Sequence, residues 1–259
     1  MTLEEILQNK DFAIHKKKSE IQKTDFSNIL FDTATKTLGN NNTMLEVLVY
    51  EVNVSKSRNP LMFEQYKSGY VLNHSVGMRY VKILLCYNTE DAGYSQEKEN
   101  WDKYYPNVVN KDEADKYGYF WAVTEAKNIE ASAVVKGSNF LTPVLSAEEI
   151  DENTIKVKLA VSPSNIIDSH RDCHIAGLWK KSLNENPYEL LLQEHDMDFD
   201  KVIADSINSE FSVYTEMISV KELLSKFKKG KKSEADKGHF DDKNEPTNVT
   251  QNKTIHLFI

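Results

Sequence analysis

Cysteine is nearly missing from this sequence. Cys86 and Cys173 are the two thiols in 259 residues, too few for a disulfide framework or a cysteine-built zinc site. Long apolar runs are missing as well. No stretch of eighteen apolar residues occurs and mean hydropathy is -0.55, so no transmembrane helix is expected. Positive charge is in deficit, with 32 Lys and Arg against 40 Asp and Glu and a net charge of -8. That balance argues against wholesale nucleic-acid binding. The opening Met-Thr-Leu-Glu-Glu shows no basic region followed by an apolar stretch, so an intracellular protein is expected. The Asn-X-Ser/Thr triplets at Asn41, Asn73, Asn248 and Asn252 then carry no glycans. GxxxxGK, HExxH and GxSxG are all missing, which leaves nucleotide-binding, zincin and α/β-hydrolase readings unsupported. No repeat of 20 to 50 residues stands out.

What is present suffices for a packed core. Hydrophobic residues make up 40% and charged residues 28%, and the length allows one large domain or two small ones. Residues 2–24 read as a helix with Thr2 and Glu5 as a capping box. They form an N-terminal helical extension over residues 1–37. Strand patterns rich in Val, Leu, Ile and Tyr follow at 44–54, 70–86, 119–124 and 129–136. A helix over 61–68 stops at Gly69, and a charged insert over 88–118 holds a helix at 112–116 capped by Gly118. After a polar join at 145–153, strands are expected at 154–161, 166–175, 190–193, 201–206 and 212–218. Helices are expected at 178–186 and 220–227. Residues 228–259 are rich in lysine, aspartate and asparagine and read as a disordered tail. Few strands are separated by long helices, so a doubly wound parallel sheet is not expected. The expected class is α+β, a mostly antiparallel, barrel-like β core with surrounding helices. Its domain spans 38–227 in two blocks, 38–150 and 151–227.

Four clusters hold chemistry-bearing side chains. In the first, Asp168, His170, Asp172 and His174 alternate. On a strand they share one face, and carboxylates with imidazoles suit a zinc or iron site. The plainer alternative is a turn in which these side chains bond the backbone. In the second, the apolar run 190–192 ends near His195, with Glu194 and Asp196 flanking it. Imidazole at a half-buried sheet margin can act as a general base near neutral pH. In the third, Ser75 follows His74 and precedes Val76 and Gly77 on a strand. A serine nucleophile there needs a base and an oxyanion hole. In the fourth, alternation puts Glu130 and Ser132 on one face and Ala131 and Ala133 on the other. A glutamate inside an apolar strand needs a partner, and a histidine would satisfy it. Each of these side chains also has an ordinary structural role open to it.

Taken together, DSHRDCHIAGLWKKSL at 168–183, LLQEHD at 191–196, HSVGM at 74–78 and IEASAVV at 129–135, with GSN at 137–139 and Thr142-Pro143 behind it, resemble tailed-phage prohead proteases of the HK97 type. That family is related in fold to herpesvirus assemblins. The resemblance covers roughly residues 44 to 225. It implies Ser75 as nucleophile, His195 as general base and Glu130 as the third member. Ser132 stands as reserve nucleophile and His74 as reserve base. It implies a serine endopeptidase with no cofactor that processes scaffold and capsid protein, with self-cleavage, as an oligomer. The place implied is the assembling procapsid in the cytoplasm of a bacterial host, with neither nucleic acid nor membrane as partner. One departure is large. In the family the segment like 154–225 precedes the segment like 44–150, and here it follows. Triads are set by geometry and not by chain order, so the swap does not forbid activity. Two rivals stay open: a metal-dependent hydrolase on the Asp168 face, and a non-catalytic assembly or scaffold protein that keeps the fold.

Overall fold

The computed structural model describes residue 38, residues 42–186 and residues 188–227. The N-terminal extension and the charged tail expected above lie outside them.

Strand β1 (Met44–Ser55) is the spine of the molecule. Both faces of its first part are apolar, and Glu51 and Asn53 make one face of its second part polar. Leu48, Tyr50, Val52 and Val54 face one core, and Leu45, Val47 and Val49 face another. Helix α1 (Pro60–Lys67) follows, started by the Asn59 side chain, which accepts from Met62 N, and by Pro60 in its first turn. Strand β2 (Asn73–Tyr87) leads into the charged insert, where α2 (Ser95–Tyr104) and α3 (Lys111–Tyr117) form. Gly118 ends α3 at φ 72°, as the sequence reading expected. The two strands expected at 119–124 and 129–136 are one, β3 (Tyr119–Val134). Strands β4 (Val144–Asp151) and β5 (Thr154–Pro163) form a hairpin, followed by β6 (Asp172–His174), α4 (Lys180–Glu185), β7 (Leu190–Gln193), β8 (Val202–Asp205), β9 (Phe211–Ser219) and α5 (Val220–Phe227).

The class is α+β with mostly antiparallel sheets, but the barrel-like closure expected from the sequence is not there. One sheet runs β4-β5-β1-β9, antiparallel throughout. The other runs β2-β3-β7-β8, with β6 also on β3. In it β2/β3 and β7/β8 are antiparallel, and β6 and β7 run parallel to β3. The sheets stack as open layers. Between them lie Leu48, Tyr50 and Leu159 from one sheet and Val123, Ala131, Leu191 and Ile203 from the other. The far side of β1 is covered by Leu223, Leu224 and Phe227 of α5.

Both sequence blocks contribute to both sheets. Strand β1 lies between β5 and β9, and β3 lies between β2 and the β6/β7 edge. The segment 145–153, read as a polar join, is largely strand β4 instead. An edge strand needs only backbone partners, so Glu148 and Glu149 can point to solvent there. A smaller core of Cys86, Trp101, Val108, Phe120 and Cys173 fastens the insert to the ends of β2, β3 and β6. Both thiols are buried and free.

One irregularity decides where side chains point. Gly77 pairs with Glu130, but the next residue, Met78, pairs with Asn128. Ile129 is an extra residue, a β-bulge. Simple alternation would place Asn128 and Glu130 on one face. The bulge sends Asn128 inward, to Tyr50, and Glu130 outward.

Candidate active site

The site is built on the outer face of the β2–β3 ladder. Val76, Met78, Ala131 and Ala133 meet the core between the sheets. Their neighbours Ser75, Gly77, Glu130 and Ser132 therefore turn the other way. Ser75 lies opposite Ser132, and Gly77 lies opposite Glu130. Directly opposed residues carry their Cβ atoms about 5 Å apart. Gly77 has none, and the carboxylate of Glu130 occupies that space. A Cβ on Gly77 would sit 1.9 Å from Glu130 Oε1. Glycine inside a strand commonly marks such a close approach.

The other edge of β3 supplies the histidine. Strand β7 runs parallel to β3, with Leu192 beside Ser132 and Gln193 beside Ala133. It ends in a tight turn closed by Asp196 N donating to Gln193 O at 3.0 Å. The central residues, Glu194 and His195, have φ of 53° and 59°. Left-handed backbone costs a non-glycine residue about 1–2 kcal/mol, so the surroundings must hold the turn in place. Glu194 N donates to Ala133 O at 3.0 Å, and Glu194 Oε1 accepts from Val135 N at 2.7 Å. His195 N donates to Ser132 Oγ at 3.0 Å. The His195 ring then reaches Glu130, with Nδ1 2.6 Å from Oε1.

The carboxylate settles the tautomer. A carboxylate accepts, so Nδ1 carries the hydrogen, and in the neutral ring Nε2 keeps a free lone pair. Glu130 is 2% exposed, while the His195 side chain is 41% exposed. The hydrogen bond to Glu130 holds the imidazole above its ordinary range. Partial burial opposes this, and the charges of Glu130 and Glu194 add to it. Ser132 Oγ donates to Glu130 Oε2 at 2.6 Å. Glu130, Ser132 and His195 are thus in direct contact. Ser75 is half-buried on the neighbouring strand. Among the described residues its hydroxyl is bonded neither to His195 nor to any other side chain.

His74 points away from this face. It is fully buried, with Nε2 3.0 Å from Tyr66 Oη and Nδ1 3.0 Å from Thr142 O. Burial lowers its pKa to about 4. Both ring nitrogens are engaged, and Ser75 projects from the opposite side of the strand.

The Asp168 cluster is not a strand face, which corrects the expectation at 166–175. Asp168 Oδ1 accepts from His170 N at 2.8 Å and Asp172 N at 3.0 Å, and Arg171 takes φ 67°. This is an aspartate-closed turn, with only 172–174 extended. The four side chains do not converge on one point. Exposed His170 has its Nδ1 3.9 Å from Asp168 Oδ2, Asp172 accepts from Tyr80 Oη, and buried His174 meets Ser162 Oγ at 2.7 Å. Among the described residues no group of three or more His, Cys, Asp or Glu is arranged to hold a metal.

Three features escaped the sequence reading. One is the part played by Gly77, which its position inside a strand pattern could have signalled. Another is the pairing of Ser162 with His174 and Trp179, which carries no local mark. The third is a buried polar cluster on the inner side of the bulge. There Glu189 accepts from Tyr50 Oη at 2.9 Å, Asn128 Nδ2 at 2.5 Å and Asn186 Nδ2 at 3.1 Å.

Comparison of the chain with protein-family models, with curated proteins and with solved structures returns no match.

Proposed function

We propose that this chain is a serine endopeptidase of phage capsid maturation, with Ser75 as nucleophile, His195 as general base and Glu130 as the group that orients the base. The observation that carries the reading is the 2.6 Å contact of His195 Nδ1 with buried Glu130, on the face that also displays Ser75. Such a carboxylate fixes the imidazole tautomer and stabilises the imidazolium that forms when the base takes a proton. His195 Nε2 takes the Ser75 hydroxyl proton as Oγ bonds to the scissile carbonyl carbon. The protonated imidazole then gives that proton to the leaving amine as the C–N bond breaks. Water, deprotonated by the same Nε2, releases the acyl group and regenerates Ser75. Substrate binding must bring Ser75 and Nε2 together, since hydrogen bonds of this kind often tighten only in the complex. The procapsid setting, the capsid and scaffold substrates and the self-processing rest on the motif resemblance.

The test is incubation of purified chain with capsid and scaffold protein, read by mass spectrometry of the intact products. Discrete cleavage that disappears in Ser75→Ala is expected. Cleavage that persists in Ser75→Ala would end the assignment. The lack of a Ser75–His195 hydrogen bond favours a second reading, a non-catalytic assembly protein that keeps the fold. Intact substrate after prolonged incubation with folded protein would select it.

A further inference from the structure

We infer that Ser132 is a positioning residue that fixes Glu130 and His195 relative to each other, and that Gly77 provides the clearance this arrangement needs. The inference rests on the reading of His195 as the base.

A serine hydroxyl has one hydrogen and two acceptor sites. The Ser132 hydrogen goes to Glu130 Oε2 at 2.6 Å, and an acceptor site takes His195 N at 3.0 Å. One oxygen thus holds the side chain of the orienting residue and the backbone of the base. Ser132 is 0% exposed, so solvent does not supply a substitute when its hydroxyl is removed. The His195 amide belongs to a turn with two left-handed non-glycine residues, which depends on its outside partners. Glu130 is fixed from three directions. Its Oε2 takes the Ser132 hydrogen, its Oε1 meets His195 Nδ1, and its flank fills the space above Gly77. These two bonds and its full burial fit a holding role better than that of reserve nucleophile.

The test is an NMR titration of His195 in the full-length protein. It runs beside the rate at which an alkyl fluorophosphonate labels Ser75 as a function of pH. The charged groups acting on His195 are Glu130 and Glu194. In Ser132→Ala the His195 midpoint is expected to fall toward the free-imidazole value. The pH profile of labelling should follow it, and the labelling rate should drop by about 100-fold, as for misplacement by about an ångström. Ser132→Thr, which keeps the hydroxyl, should restore the midpoint. Gly77→Ala should lower it from the neighbouring strand, because the new Cβ displaces the Glu130 carboxylate. This second variant also serves if Ser132→Ala does not fold. In a Glu130→Gln background, Ser132→Ala should move the midpoint no further. A His195 midpoint unchanged in folded Ser132→Ala or folded Gly77→Ala would overturn the inference. If the midpoint moves but the parent protein never takes the label, the positioning role holds and the protease reading fails.

Discussion

Strand β3 carries a buried polar cluster on each face, and one extra residue, Ile129, separates them. On the inner side, Glu189 is answered by a phenol and two amides, from Tyr50, Asn128 and Asn186. On the outer side, Glu130 is answered by a hydroxyl and an imidazole, from Ser132 and His195. Both carboxylates are nearly inaccessible, at 6% and 2% exposure. The difference lies in what stands beyond them. Tyr50 and Asn128 are closed in, Asn186 is half-buried, and none of the three changes charge near neutral pH. Burial holds the Glu189 carboxyl above the ordinary carboxylate range against the pull of its three donors, and it holds Tyr50 above that of a free phenol. The outer cluster ends in a half-exposed imidazole with one nitrogen free. A buried carboxylate facing neutral donors stabilises and aligns a core. A buried carboxylate facing an accessible base can pass its influence on to a reacting group.

Neutralising each carboxylate in turn should separate the two clusters most strongly. Glu130→Gln keeps the shape but removes the charge and disturbs the tautomer. Its kcat/KM in peptide cleavage is expected to fall by about 10³–10⁴, with little change in the thermal melt. Near-normal turnover would show that the outer cluster is structural like the inner one. Glu189→Ala should do the reverse. It leaves Tyr50 Oη without an acceptor and takes one of two acceptors from each of the Asn128 and Asn186 amides, at a cost of about 3 kcal/mol in urea unfolding. The His195 titration should stay where it is.

Among the described residues two imidazoles are buried, His74 and His174. Burial lowers both to about 4. Between pH 6.5 and 4 the unfolded chain binds protons that these rings refuse, so stability falls as pH falls through that window. The loss should be on the order of 3 kcal/mol for each ring, measured by urea unfolding at pH 7 and pH 4. His195 works with the opposite sign. Its folded pKa is raised, so its contribution is fully present below the unfolded value and is lost as pH rises through the folded one. The smallest effect expected is a displaced pH–rate curve. The rising limb should have its midpoint above 6.5 in the parent protein and move downward in Glu130→Gln.

The chemistry was legible wherever the signal was periodic. Period-two alternation separated Glu130 and Ser132 from Ala131 and Ala133, and the structure keeps that separation. The end of an apolar run located β7 and the histidine beyond it. The same kind of signal misled at 168–174. Alternating Asp and His imitates a strand, but the Asp168 side chain captures two backbone N–H groups and folds the segment into a turn. The bulge at Ile129 carries no sequence mark. It arises because Asn128 finds Tyr50 and Glu189 in the core, while Glu130 finds His195 outside. A strand cannot satisfy both without an extra residue between them. The left-handed turn at 194–195 is equally silent. It is imposed from β3 by Ser132 and Ala133 and from just beyond it by Val135.

Local terms were legible in the sequence: an acidic chain poor in cysteine, most of its strands, the two faces of 130–133, the helix end at Gly118, and a short set of serines, histidines and carboxylates able to do chemistry. These depend on residue type and on spacing over a few positions. Which of them meet is set by the tertiary fold. Glu130 and His195 are 65 positions apart in the chain, and they come together because β7 lies parallel to β3 while Gly77 leaves room on β2. It also decided that Ser132 holds the pair and that the Asp168 cluster scatters. Contacts of that kind are set by sheet register and by competition for buried hydrogen-bond partners, and neither is a property of any short segment.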